Sequence, residues 1–139
     1  MEHGYHGHTQ TGIDISDYKF SSIGGEGKKE FILKTPLPDT YRGKYRENEG
    51  DAGELYARDA IKQIRSADSP MAAFVSEPVV GCGGQVPLAR GYLKEISKLL
   101  SVIHGTEEPF MQVRQTACTQ QQTMAAPGSV LTLTLNIIL

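Results

Sequence analysis

At 139 residues the chain is long enough for one domain and too short for two, and only 39% of it is hydrophobic, with 7% aromatic and no tryptophan. A core is possible but thin, which raises the expectation of a larger parent domain. A net charge of −2 gives no field to recruit nucleic acid or an anionic membrane, and two cysteines make no disulfide framework. Residues 1–20 hold no apolar signal-peptide core, and the longest apolar stretch, Val130–Leu139, is broken by threonines and too short to cross a bilayer. The expectation is a soluble, cytoplasmic chain with no nucleic-acid or membrane partner.

The chain opens MEHGYHGHTQ, crowding His3, His6, His8 and Tyr5 among glycines. Three readings are open: a metal cradle built from neutral imidazoles, an aromatic platform for a flat ligand, and an exposed polar leader. No carboxylate or supporting partner is fixed by the spacing, which weakens the metal reading. Residues 1–30 are rich in Gly, His and Ser and are expected to be loop, with at most a short strand at Tyr18–Phe20. GGEGKK (Gly24–Lys29) is not a phosphate loop. Ser22 stands where the first glycine is needed, and Lys29 where a Ser or Thr should follow the lysine.

Phe31–Asp51, FILKTPLPDTYRGKYRENEGD, is punctuated by Pro, Gly and charge and predicts a surface excursion. A helix is predicted over Ala52–Arg65. Asp51 can cap it, Glu54 follows three residues on, and Leu55, Ala57, Ala60, Ile61 and Ile64 recur near a 3.6 period. Lys62 and Arg65 suit the negative end of its dipole. After SADSP, Met71–Val75 reads as a strand buried on both faces of a parallel sheet, stopped by Pro78. Glu77 then sits at a strand end, where α/β sheets gather their ligands. A second helix is predicted over about Ala89–Ile103, which completes an α/β alternation.

SEPVVGCGGQVP (Ser76–Pro87) sets a carboxylate and a proline before Gly81, Gly83 and Gly84. Such glycines permit close approach of backbone to a ligand, or simply a tight turn, and both readings stand. No sequence neighbour activates Cys82, so it reads as a small buried residue. Beyond His104 charge almost vanishes, and the uncharged VLTLTLNIIL ending differs in kind from what precedes it.

GYHGHT (Gly4–Thr9), the AFVSEPVVGCGGQVP stretch and GYLKEI (Gly91–Ile96) together resemble the class III aminotransferases over about residues 3–97. CGGQ and the FILKTPLPDTYRGKY insert are most similar to the phosphoethanolamine and phosphohydroxylysine phospho-lyase branch. The resemblance implies a fold-type I α/β protein that uses pyridoxal 5′-phosphate to act on amino donors and acceptors, usually as a homodimer. It places Tyr5 on the face of the cofactor ring with His6 beside it, Gly7 at the turn and Glu77 as the family's strand-end carboxylate. It also implies parts that this chain lacks: an upstream Ser/Gly phosphate loop, an Asp that pairs with the ring nitrogen, and the Schiff-base lysine. The expectation is therefore an incomplete large domain at 1–103 that carries cofactor-binding but no catalytic residues. An irregular non-family tail, 104–139, would follow it, as a shifted reading frame produces. A non-enzymatic interaction module and a histidine-based metal binder are the alternatives.

Overall fold

A computed structural model describes residues 1–104. In chain order the elements are two short helices, α1 (Gln10–Asp14) and α2 (Asp17–Phe20), a 3₁₀ turn at Glu47–Glu49, helix α3 (Ala52–Arg65), strands β1 (Val79–Val80) and β2 (Val86–Pro87), and helix α4 (Tyr92–His104). The expectations for residues 105–139 lie outside the described residues.

Helix α3 forms where its pattern predicts. Its buried stripe runs Ala52, Gly53, Tyr56, Ala57, Ala60, Ile61 and Ile64, the i, i+3, i+4 spacing of one helix face. Asp51 occupies the N-cap position, but its side chain makes no capping bond, so that part of the expectation is corrected. Helix α4 answers α3 with Tyr92, Ile96 and Leu100 spaced four apart, and the two faces form the main core. It begins three residues later than the sequence suggests. Gly91 takes φ +86, and Tyr92 N–H bonds back to Ala89 O, so the chain turns before it coils.

Gly53 sets the distance between the helices. A Cβ there would collide with the Arg90 carbonyl oxygen and lie 2.7 Å from Tyr92 N, so α3 touches the entry to α4 backbone to backbone.

Three expectations change. Gln10–Asp14 and Asp17–Phe20 are helical, not loop and strand: the Thr9 side chain accepts from Gly12 N–H at 3.1 Å and caps α1, and Tyr18–Phe20 lie within α2. The Phe31–Asp51 excursion is not wholly at the surface, because Thr35, Leu37, Pro38 and Asp39 are buried. The Tyr56 hydroxyl ties it down, donating to Asp39 O at 3.0 Å and accepting from Tyr45 N–H at 3.1 Å. Pro38 O accepts from Ala89 N–H at 2.8 Å, which joins the excursion to the approach to α4.

Met71–Val75, finally, is not a strand. Ala72 and Ala73 are exposed, and among the described residues the only ladder is the antiparallel β1–β2 hairpin, with Val79 opposite Pro87 and Val80 opposite Val86. A strand exists through its neighbours, and none of the described residues lies alongside this one as a ladder partner. Met71 and Phe74 still pack against the α3–α4 core.

Replacing Gly53 with Ala separates two opposed effects. Helix propensity alone favours Ala by about 1 kcal/mol, whereas the backbone collision costs on the order of 1–3 kcal/mol. Urea unfolding should show net destabilisation relative to an exposed control, Glu54→Ala. A Gly53→Ala chain more stable than wild type would show that the close crossing does not exist.

Candidate functional site

Glu77 is 1% exposed, yet it carries a carboxylate. Its Oε1 accepts from Tyr5 N–H at 2.7 Å and its Oε2 from Gly81 N–H at 3.1 Å. Burying an ionised group is costly unless hydrogen bonds replace its water, and these two do so. They also join GYHGHT to the SEPVVGCGGQ turn, 72 residues apart in sequence. Pro78 bends the chain between the carboxylate and β1.

The motif is also gripped from its other side. The Ser16 hydroxyl, fully buried, accepts from His6 N–H at 2.7 Å and donates to Gly12 O at 2.5 Å. Gly7 takes φ +114, a conformation that glycine reaches without strain, and α1 closes on it so tightly that a Cβ at Gly12 would stand 3.0 Å from the Gly7 carbonyl. The Thr9 cap and the Ser16 relay are what sequence reasoning missed. Thr9 before a helical turn was the available signal.

The three N-terminal histidines face different neighbours. His3 takes φ 57, donates its backbone N–H to Asp17 Oδ2 at 2.8 Å, and sets its Cβ where a Cβ at Gly83 would fall. Partial burial pushes the Asp17 carboxyl up, but the His3 N–H and Lys34 outweigh it and hold it below its ordinary range. His6 turns inward against Gly4, where any Cβ would come within 2.8 Å of His6 Nε2. That nitrogen is buried with no hydrogen-bond partner, and burial lowers the imidazole to about 4, so the ring is neutral at pH 7. His8 is exposed and lies with its Nδ1 2.9 Å from the Tyr5 hydroxyl. Among the described residues, no group of three or more His, Cys, Asp or Glu side chains could hold a metal ion.

Tyr5 is half-buried, with Tyr18 edge-on at 6.0 Å and His8 tilted at 6.4 Å between ring centroids. Neither neighbour stacks in parallel on it. A flat electron-poor ring could therefore adopt that arrangement, so Tyr5 fits the role of a ring-holding residue. His6 and Glu77 do not face outward as Tyr5 does: one is packed on Gly4, the other spends both oxygens on backbone. Cys82 in the glycine turn is half-buried, not enclosed. An open groove of about 630 Å³ runs beside this turn between Leu37, Thr40, Arg42 and Val86, but neither Tyr5 nor Glu77 lines it.

Two substitutions probe this arrangement. Glu77→Gln keeps the shape but removes one acceptor and the charge. It should cost about 2–4 kcal/mol in urea unfolding and speed amide exchange at Tyr5 and Gly81; unchanged exchange at both would refute the staple. His6 gives a pH dependence, because its folded-state value lies below the ordinary 6.5. Its contribution is fully present above pH 6.5 and is lost as pH falls from 6.5 towards 4, by roughly 3 kcal/mol at pH 4. His6→Gln should flatten that part of the stability profile, and parallel profiles would count against a buried neutral ring.

No family model matches the chain. Individual proteins do. It is 36% identical over 103 residues to an alanine–glyoxylate aminotransferase 2-like protein of Drosophila melanogaster, covering 69% of this chain and 21% of that protein. It is 30% identical over 109 residues to an ethanolamine-phosphate phospho-lyase homologue of Caenorhabditis elegans, covering 70% and 23%. A transaminase obtained by ancestral reconstruction superposes with a TM-score of 0.64 at 25% identity, over 81% of this chain and 23% of that one. These matches favour neither an unrelated interaction module nor a metal binder. In sequence and in its fold-type I backbone, the chain belongs to the class III pyridoxal-phosphate-dependent aminotransferases and phospho-lyases, and it spans little more than one fifth of the length of these relatives.

Proposed function

We propose that residues 1–103 form part of the large domain of such an enzyme and supply the aromatic side of its pyridoxal-phosphate pocket. The observation that carries this reading is the Glu77 staple: one buried carboxylate brings together two of the three stretches that carry the family resemblance. Tyr5 would hold the cofactor ring by its face. Gly7 lets the chain turn away beneath it, His6 fills the space under the motif as a neutral ring, and Glu77 fixes the Tyr5 backbone. When bound, the cofactor supplies an electron-accepting ring for chemistry at an amino-bearing carbon.

The intact protein would act on small amino donors and acceptors, or eliminate phosphate from a phosphorylated amine, as a cytoplasmic homodimer. No helix among the described residues is long and apolar enough to cross a membrane. On this reading the present chain orients the cofactor, and four of its eight lysines are engaged in surface ion pairs. Lys29, Lys44 and Lys98 pair at the surface with Glu26, Asp59 and Glu95, and Lys34 is shared by Glu2 and Asp17.

Ring stacking contributes on the order of 1 kcal/mol beyond area burial, against about 8 kcal/mol for micromolar binding. The isolated chain should therefore bind pyridoxal phosphate only in the millimolar range. That binding should induce circular dichroism in the cofactor band, weakened by Tyr5→Ala and largely kept by Tyr5→Phe, with no turnover of amino donors. A signal indifferent to Tyr5→Ala would remove Tyr5 from the site. A single lysine adduct, trapped by borohydride and accompanied by turnover, would show a complete enzyme instead.

A further inference from the structure

We infer that His8 is a positioning residue for Tyr5, bracing the phenol so that the ring presents a fixed face; this rests on the cofactor reading above. Four contacts hold Tyr5. Its backbone is pinned by Glu77 at 2.7 Å, its ring meets Tyr18 edge-on, its ring is tilted 60° to that of His8, and its hydroxyl lies 2.9 Å from His8 Nδ1. The first fixes where the residue starts. The ring's remaining freedom is rotation about its side-chain torsions, and the hydroxyl contact restrains the far end.

The local chain is shaped to make this contact. Tyr5 and His8 are three residues apart, and the positive φ of Gly7 reverses the backbone between them. His6, between them in sequence, points the other way into the packing against Gly4. Thr9 then caps α1, so the residue that follows His8 is anchored as well. The Tyr5 hydroxyl both donates and accepts, so it bonds to Nδ1 whichever tautomer His8 takes, and the brace rests on the 2.9 Å contact itself.

The pair is exposed, and water competes for both partners when nothing covers it. A flat ring laid on Tyr5 excludes part of that water and strengthens the bond beneath, so binding and bracing support each other. An unbraced ring would have to be ordered at the moment of binding, and that ordering lowers affinity.

The test is NMR on the full chain with ring-labelled tyrosine, using Tyr5→Phe to identify the Tyr5 hydroxyl-bearing carbon. His8→Ala should shift that resonance, and His8→Asn, which restores a donor and an acceptor at similar reach, should return it towards wild type. Titration with pyridoxal phosphate to millimolar concentrations should move the Tyr5 ring signals. The apparent affinity should fall about 2- to 10-fold in His8→Ala, the range one neutral hydrogen bond accounts for, and recover in His8→Asn. A Tyr5 resonance unmoved by His8→Ala overturns the brace itself. A ring that answers to His8 but has equal affinity in wild type and His8→Ala overturns its positioning role. A ring that answers to His8 but not to pyridoxal phosphate in any variant overturns the cofactor reading on which the role depends.

Discussion

A buried carboxylate with two backbone N–H groups on it constrains this molecule more than any other single contact. Glu77 sits at 1% exposure, and each of its oxygens is committed to a different segment. Charge-assisted bonds of this kind contribute roughly 1.5–3 kcal/mol each. Losing one would leave a charge in a place that water does not reach, so the segments are held jointly or not at all. The N-terminal motif has little apolar area of its own, and Met1 with Leu37 and Val80 makes only a small satellite core. Its place beside the glycine turn is therefore set by polar contacts: Glu77 at Tyr5, Ser16 at His6, Asp17 at His3.

The apolar work is done elsewhere. α3 and α4 form the main core, and Tyr56 extends it outward by binding the excursion at both Asp39 and Tyr45. Gly43 is the matching concession, since a Cβ there would collide with the Tyr56 hydroxyl. Through Pro38 O and Ala89 N–H, the excursion then reaches the approach to α4. Leu88, just past the hairpin, packs against both the main core and the small one around Val80.

What the sequence disclosed follows from how far each signal had to travel. The bounds of α3 are local, written in the spacing of Leu55, Ala57, Ala60, Ile61 and Ile64, and they were legible, although Tyr56 and not Leu55 lies on the buried stripe. The start of α4 was misplaced because the periodicity of its apolar residues does not show that Gly91 adopts a positive φ. The strand expected at Met71–Val75 was a statement about partners, and apolar composition says nothing of whether a ladder partner is present. α1 and α2 are too short for periodicity, and only the caps announce them. At the site, the turn at Gly7 was readable, and the part given to Tyr5 as a platform belongs to the proposed function. The burial of Glu77 was not, because its partner at Tyr5 lies 72 residues away and nothing local marks a carboxylate as enclosed.

The crowding of histidines at the start of the chain now has a physical account in which no two of them do the same thing. An imidazole is small enough to fill space, polar enough to bond to a phenol hydroxyl, and tolerant of a positive φ. His6 uses the first property, neutral against Gly4; His8 uses the second, beneath Tyr5; His3 uses the third, at φ 57 beside Gly83. A shared ligand would need the three rings to converge, and the alternation of inward and outward positions around Gly7 sends them apart. What converges is the backbone on Glu77, and the ring left to face a ligand is that of Tyr5. The geometry of this segment is thus made by contacts within the chain, and under the proposed function they stand before any cofactor arrives. Such preorganisation keeps the ordering cost of a weak stacking contact small enough for the contact to matter.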